Sequence, residues 1–149
     1  MRAIVQRVKK SSVKVDGEIV GSIEKGLNVL IGISQEDTLD DLKYIVDKVV
    51  NLRIFHDEND KMNLSVKDIS GEILAISQFT LYGDCRKGRR PNFMNALGGT
   101  EAEILYNKFI NMLRETNIKI ETGVFGAHMD VEIQNDGPVT ILLDSKKGF

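Results

Sequence analysis

Apolar and polar residues alternate over residues 2–9 (RAIVQRVK), again over 12–16 (SVKVD), and less strictly over 18–23 (EIVGSI). This is the period-two pattern of half-buried strands. Asp16-Gly17, between the last two, signals a hairpin, because glycine accepts the positive φ of a tight turn. LNVLIGI, residues 27–33, is nearly continuous in apolar residues and predicts a strand buried on both faces. Thr38 can cap a following helix, in which Leu39, Leu42, Ile45, Val46, Val49 and Val50 make one apolar stripe. FHDENDKMN, residues 55–63, predicts a loop, and residues 73–81 a strand ending at Gly83-Asp84. Thr100 and Glu103 have the spacing of a capping box ahead of a second stripe of Ile104, Leu105, Phe109, Ile110 and Leu113. NIKIETGVF (117–125), HMDVEIQ (128–134) and PVTILLD (138–144) predict further strands. Two helices among about seven or eight strands predict an α/β fold: a layered, barrel-like mixed β-sheet with two main helices covering one face. No linker, repeat or low-complexity tract interrupts the pattern, so residues 1–149 read as a single domain.

Composition narrows the class of protein. A chain of 149 residues, 42% hydrophobic, suits one domain with a substantial core. No apolar run approaches the roughly 20 residues that span a bilayer. MRAIVQRVKK carries charge where a signal peptide has its apolar centre. Cys85 is the one cysteine, so no internal disulfide forms and a reducing, cytoplasmic setting is expected. Net charge is −2, so a nucleic-acid contact has to gather its positive charge locally. Arg86, Lys87, Arg89 and Arg90 do so within five positions, although such a cluster taken alone is more often a solvated loop.

Familiar chemistry is mostly missing. His56 and His128 have no Cys or second His at metal-ligand spacing, so no metal is expected. There is no GxxxxGK[ST], no GxGxxG between strand and helix, and no GxSxG, so no nucleotide cofactor is signalled. Glu36, Asp37, Asp40 and Asp41 read as the exposed start of a helix, favoured there by its dipole. Two stretches stay unexplained. Ser77-Gln78-Phe79-Thr80 closes an apolar strand with polar groups that need hydrogen-bond partners or a ligand. In NDGPVT, residues 135–140, Pro138 cannot donate to a ladder, so either a plain turn or a special backbone geometry follows.

Together, SQFTLYGDCRKGRRPNF and NDGPVT closely resemble the two signature motifs of the D-aminoacyl-tRNA deacylases. MRAIVQRV and GVFGAHMDVEIQNDGPVT are similar as well, so the likeness spans essentially the whole chain. Asn92 stands where Ser is more usual, a position for which the resemblance implies no catalytic role. The resemblance implies a homodimer with an active site at each subunit interface. It implies that Gly137-Pro138 is cis and projects into the partner's pocket, where backbone carbonyls reject an L side chain and admit a D one. It implies that Arg7 steadies that element and that Phe79, Phe125 and Met129 line the pocket. The tRNA 3′ end would then lie across Arg86, Lys87, Arg89 and Arg90, with an aromatic such as Phe79 stacked on the terminal adenine.

Two routes to ester cleavage stay open. Thr80 is a candidate nucleophile but has no His or Lys beside it in sequence. In the other route, main-chain N–H groups at Phe79 and Thr80 stabilise the oxyanion and the ribose 2′-OH assists water. Two other classes compete with the deacylase: an RNA-binding module without catalysis, and a hydrolase of small D-amino acid esters or amides.

Overall fold

Residues 2–9 and 12–16 form one strand, not two. β1 runs Arg2–Val15, and β8, Asp130–Asp144, lies antiparallel along almost its whole length. On its other side β1 pairs with β3 (Gly26–Gly32) through its N-terminal half and with β2 (Glu18–Ile23) through its C-terminal half. Exposed Lys9 and Lys10 mark where the alternation slips between the halves. The computed structural model describes residues 1–148.

β6 (Glu72–Ser77) lies parallel to β3, and β7 (Lys119–Thr122) parallel to β6, giving the order β2-β1-β3-β6-β7 with β8 on β1. The sheet is therefore mixed, and β2 curls back against β6 and β7 so that it nearly closes. β4 (Phe55–His56) and β5 (Met62–Leu64) make a small hairpin inside the stretch expected to be loop. The α/β expectation holds: α1 (Leu39–Asn51) and α2 (Gly99–Arg114) make the crossovers and cover one face.

The main core lies between those helices and the sheet. Ala3 and Val5, Leu27, Val29 and Ile31, and Ile73 and Ala75 meet Leu42, Ile45, Val49, Phe109 and Leu113. A second cluster fills the inside of the curl, where Val8, Val13, Ile23, Leu74 and Ile76 pack with Met129, Val131 and Ile133. β3 serves both, which is why its sequence shows no alternation.

Four expectations need correction. Asp41 is buried, not exposed: its carboxylate accepts from the Thr38 N–H and hydroxyl at 2.8 Å each and from the Lys146 ammonium at 3.0 Å. The Thr100–Glu103 box does not form, because α2 starts two residues earlier than that box requires, behind Gly98, and puts Thr100 inside the first turn. β6 stops at Ser77, and residues 79–82 form a 3₁₀ turn. Pro138 does not divide two strands; it sits in a bulge within β8, where its missing N–H costs the ladder nothing.

Candidate active site

The polar corner is built by the end of β6. The Gln78 N–H donates to the Ile31 carbonyl at 2.6 Å, which keeps the chain on β3 for one more residue. It then tightens into the 3₁₀ turn Phe79–Tyr82, closed by Leu81 N–H to the Gln78 carbonyl (3.2 Å) and Gly83 N–H to the Thr80 carbonyl (2.9 Å). In this first turn the N–H groups of Phe79 and Thr80 have no acceptor within the helix. The Gln78 side-chain amide donates to the Thr80 hydroxyl oxygen.

Beside this corner opens a cleft of about 600 Å³. Ser77, Gln78 and Phe79 form one wall. Phe93, Ala96, Leu97 and the N-terminal end of α2 at Gly98, Gly99 and Ala102 form another, and residues 125–129 with Val131 the third. Ile31, Ile33 and Ile76 complete the apolar lining. Phe79 meets Phe93 edge to face, their centroids 5.1 Å apart and their planes at 68°. Phe125 leans on Tyr106 at 5.6 Å, and the buried Tyr106 hydroxyl donates to the Ala75 carbonyl at 2.9 Å. Burial pushes that phenol well above its ordinary range, so it is a fixed neutral donor. Gly123 lets Met129 seat closely, since any side chain there would collide with the Met129 sulfur.

The fold thus brings Ser77, Gln78, Phe79, Phe125 and Met129 around one space. Thr80 stands exposed outside the lining. Arg86, Lys87, Arg89 and Arg90 lie in an exposed loop whose base is closed by Asp84 and Asn92, each N–H donating to the other's carbonyl at 2.8 and 3.0 Å. Arg86 is committed to Asp84, its Nε and Nη2 at 2.8 and 2.6 Å from the two carboxylate oxygens. That ion pair holds the Asp84 carboxyl well below the usual carboxylate range. Arg86 borders a separate polar cleft with Arg2, Tyr82 and Lys146, whereas Lys87, Arg89 and Arg90 project into solvent. Asn92, the unusual residue of the motif, shapes the loop by accepting the Met94 N–H at 2.9 Å.

Gly137-Pro138 is a cis peptide, exposed and away from the chain's own cleft. Its anchor is Arg7, only 5% exposed. Arg7 Nη1 donates to the Ile54 carbonyl at 2.7 Å, and Nε donates to the Asp136 carbonyl at 3.3 Å and lies 3.2 Å from its carboxylate. Asn135 Nδ2 bridges the bulge, donating to the Arg7 and Val139 carbonyls at 2.9 and 3.0 Å. Gly137 has φ +116°, and a Cβ there would crowd Arg7 Nη2 and Val139 Cγ2 at 3.0 Å each. Both the conformation and the space demand glycine.

Sequence reasoning missed Phe93, Ala96, Leu97, Gly98, Gly99 and His128 as lining residues. An aromatic directly behind the basic cluster was the available signal for Phe93. Nothing in local sequence pointed to the others. Among the described residues, no group of three His, Cys, Asp or Glu side chains is placed to hold a metal, and no helix is long and apolar enough to cross a membrane.

Residues 4–144 match the family model described as D-Tyr-tRNA(Tyr) deacylase. The chain is 73% identical over 149 residues, the whole of both chains, to the D-aminoacyl-tRNA deacylase of Clostridium perfringens (strain SM101 / Type A). A solved structure described as c-Myc DNA Unwinding Element Binding Protein is 49% identical, with TM-score 0.92 over 97% of this chain and 98% of that one. Another, described as a probable eukaryotic D-amino acid tRNA deacylase, gives TM-score 0.81 at 19% identity over 95% and 97%, a likeness of fold. A nearly closed mixed sheet with a polar strand end over an apolar cleft is thus the framework of a class of hydrolases, the deacylases. The chain belongs to the D-Tyr-tRNA(Tyr) deacylase family.

Proposed function

We propose that this protein hydrolyses the ester of D-aminoacyl-tRNA, releasing the D-amino acid and tRNA. The observation that carries this reading is the cleft itself: one polar corner, Ser77-Gln78 with the start of the 3₁₀ turn, set in apolar and aromatic walls. The N–H groups of Phe79 and Thr80 are the donors for the carbonyl oxygen as it becomes an oxyanion. Water attacks the ester carbon with help from the ribose 2′-OH, and collapse of the tetrahedral intermediate expels the 3′-oxygen, which takes up a proton. Thr80 outside the lining, its hydroxyl oxygen engaged by Gln78, favours this route over a nucleophilic Thr80. Phe79, supported edge-on by Phe93, is the stacking surface for the terminal adenine.

Selection against L substrates is assigned to Gly137-Pro138 of a second copy. On its own chain this pair is exposed and does not border the cleft, so it acts by reaching a neighbour's. Support for a homodimer comes from the outward sheet face, where Ile4 pairs between Leu30 and a Leu142 that is 55% exposed. Glycyl-tRNA, including glycine mischarged on tRNA(Ala), offers no side chain to reject and passes the filter. Exposed Lys87, Arg89 and Arg90 supply charge for the acceptor strand.

The test is release of labelled amino acid from D-Tyr-tRNA, L-Tyr-tRNA and Gly-tRNA with a chelator present. Release from the D and glycyl forms and none from the L form is expected; equal release from D and L overturns the chirality filter. A second reading, nucleic-acid binding without catalysis, draws on the same exposed basic loop and on the name of the 49%-identical structure. A gel shift of uncharged tRNA with no turnover of any ester would establish it.

A further inference from the structure

The register of β8 against β1 passes from Thr140 opposite Gln6 directly to Asn135 opposite Val8, so residues 136–139 are thrown out of the sheet opposite Arg7 alone. The chain takes five steps to cover a span of two strand residues, and the shape of the loop depends on how its neck is closed. Asn135 closes it. Its Nδ2 donates to the Arg7 and Val139 carbonyls at 2.9 and 3.0 Å, and its Oδ1 accepts the Thr140 hydroxyl at 3.2 Å. Gln6 Nε2 lies over the same pair, a long 3.5 Å from Asn135 Oδ1 and 3.4 Å from Thr140 Oγ1. Gln6 and Arg7 are consecutive on β1 and point to opposite faces. The loop is therefore gripped from both sides. Buried Arg7 holds Asp136, the residue before Gly137, while Asn135 holds Val139 and Thr140, the two after Pro138. Neither grip alone fixes both ends.

Resting on the reading that Gly137-Pro138 of a second copy rejects L side chains, we infer that Asn135, locked to Thr140, determines how well that filter discriminates. Asn135 touches no substrate. It is a positioning residue that fixes how far Gly137-Pro138 projects into the neighbour's cleft. An L substrate reacts only in the small population whose loop has swung aside, whereas a D substrate reacts with the loop in either place. Weakening the lock raises that minor population in proportion. Release of the L-amino acid then rises, and release of the D-amino acid does not change.

The experiment measures single-turnover release from D-Tyr-tRNA and L-Tyr-tRNA at enzyme excess, where slow release is measurable, with spontaneous ester hydrolysis subtracted. Wild type is compared with Thr140→Val, Thr140→Ser and Asn135→Ala, and urea midpoints are recorded on the same preparations. Thr140→Val keeps the branched shape and strand preference of threonine while removing its hydroxyl. One neutral hydrogen bond shifts such an equilibrium about fivefold. L-Tyr-tRNA release should rise by about that factor in Thr140→Val and by about twentyfold or more in Asn135→Ala, which loses several bonds. Thr140→Ser keeps the hydroxyl and should keep the wild-type ratio of D to L release. D-Tyr-tRNA release should be the same in all four proteins. If Asn135→Ala folds poorly, Thr140→Val against Thr140→Ser decides. A wild-type ratio in Thr140→Val overturns the inference, and so does an equal fall on both substrates, which marks a merely structural bond. Equal release of D and L by wild type itself brings down the filter reading, and the inference with it.

Discussion

Arg7 and Asp136 are joined twice, by Nε to the carbonyl at 3.3 Å and to the carboxylate at 3.2 Å, so a buried guanidinium fixes the residue that enters the Gly137-Pro138 bulge. The third bond of Arg7, to the Ile54 carbonyl, ties the bulge to the chain leaving α1. Arg7→Ala strands these acceptors, a loss of about 1–3 kcal/mol by the rule for a buried acceptor left unpaired, since the Asp136 carboxylate is itself about a third exposed to water. Urea midpoints should drop accordingly. Arg7→Lys should recover only part, because an ammonium cannot serve three acceptors that match a planar fork.

Thr80→Ala separates the two routes to cleavage. With the hydroxyl oxygen engaged by Gln78 and the side chain outside the cleft, most of the turnover on D-Tyr-tRNA should persist, within about tenfold in kcat. Complete loss of turnover with binding intact assigns the nucleophile to Thr80.

Phe79 is 55% exposed, so Phe79→Ala should cost no more than about 0.5–1.5 kcal/mol of stability, the worth of its edge-to-face contact with Phe93. Stacking on one base is worth about 1–3 kcal/mol, which corresponds to a rise in KM of about fivefold or more. Thermal melting and steady-state kinetics on the same preparation check both halves.

Arg89 and Arg90 project into solvent without the carboxylate partner that engages Arg86. Replacing both with Ala should weaken tRNA binding and flatten log K against log salt by about 0.7 for each phosphate no longer neutralised. Arg86→Ala should do less, since its charge is already opposed by Asp84. A salt series on the three proteins decides the order.

Asp41 links stability to acid. Burial resists its charge, but hydrogen bonds from the Thr38 N–H, Lys146, Ser145 and the Thr38 hydroxyl outweigh it and hold the carboxyl far below its usual 3.8. A depressed folded value adds stability above the unfolded value and loses it as pH falls. Urea midpoints of wild type and Asp41→Asn should therefore differ most near neutrality and converge as pH drops below about 4. Parallel curves across that range remove this role.

Patterns that depend on one element alone were legible. The stripe of α1 emerged from Leu42 to Val50, with only Leu39 of the expected set left exposed at the first turn, because a helix needs only its own 3.6-residue period to show a buried face. The corner at Ser77-Gln78 also declared itself, since polar residues ending an apolar strand need a reason. What the sequence hid were properties decided by a neighbour. The burial of Arg7 depends on Ile54 and Asp136, far along the chain. Continuity of β1 depends on β8, which bridges the slip at Lys9-Lys10. The first turn of α2 borders the cleft, and there the chain used Gly98 rather than the Thr100 that spacing favoured. His128 and Leu97 reach one cleft only because residues 129–131 pack against β6 and the Leu97 N–H donates to the Ile33 carbonyl just past β3.

β8 has fifteen residues and, among the described residues, pairs on one side alone, with β1. A long open rim of this kind is a template on which another chain can add a strand and begin to aggregate. The bulge opposite Arg7 cuts that rim into two shorter lengths, and Pro138 withholds a donor at the break. The signature turn therefore also guards solubility: variants that straighten residues 135–140 should precipitate even where the cleft is untouched.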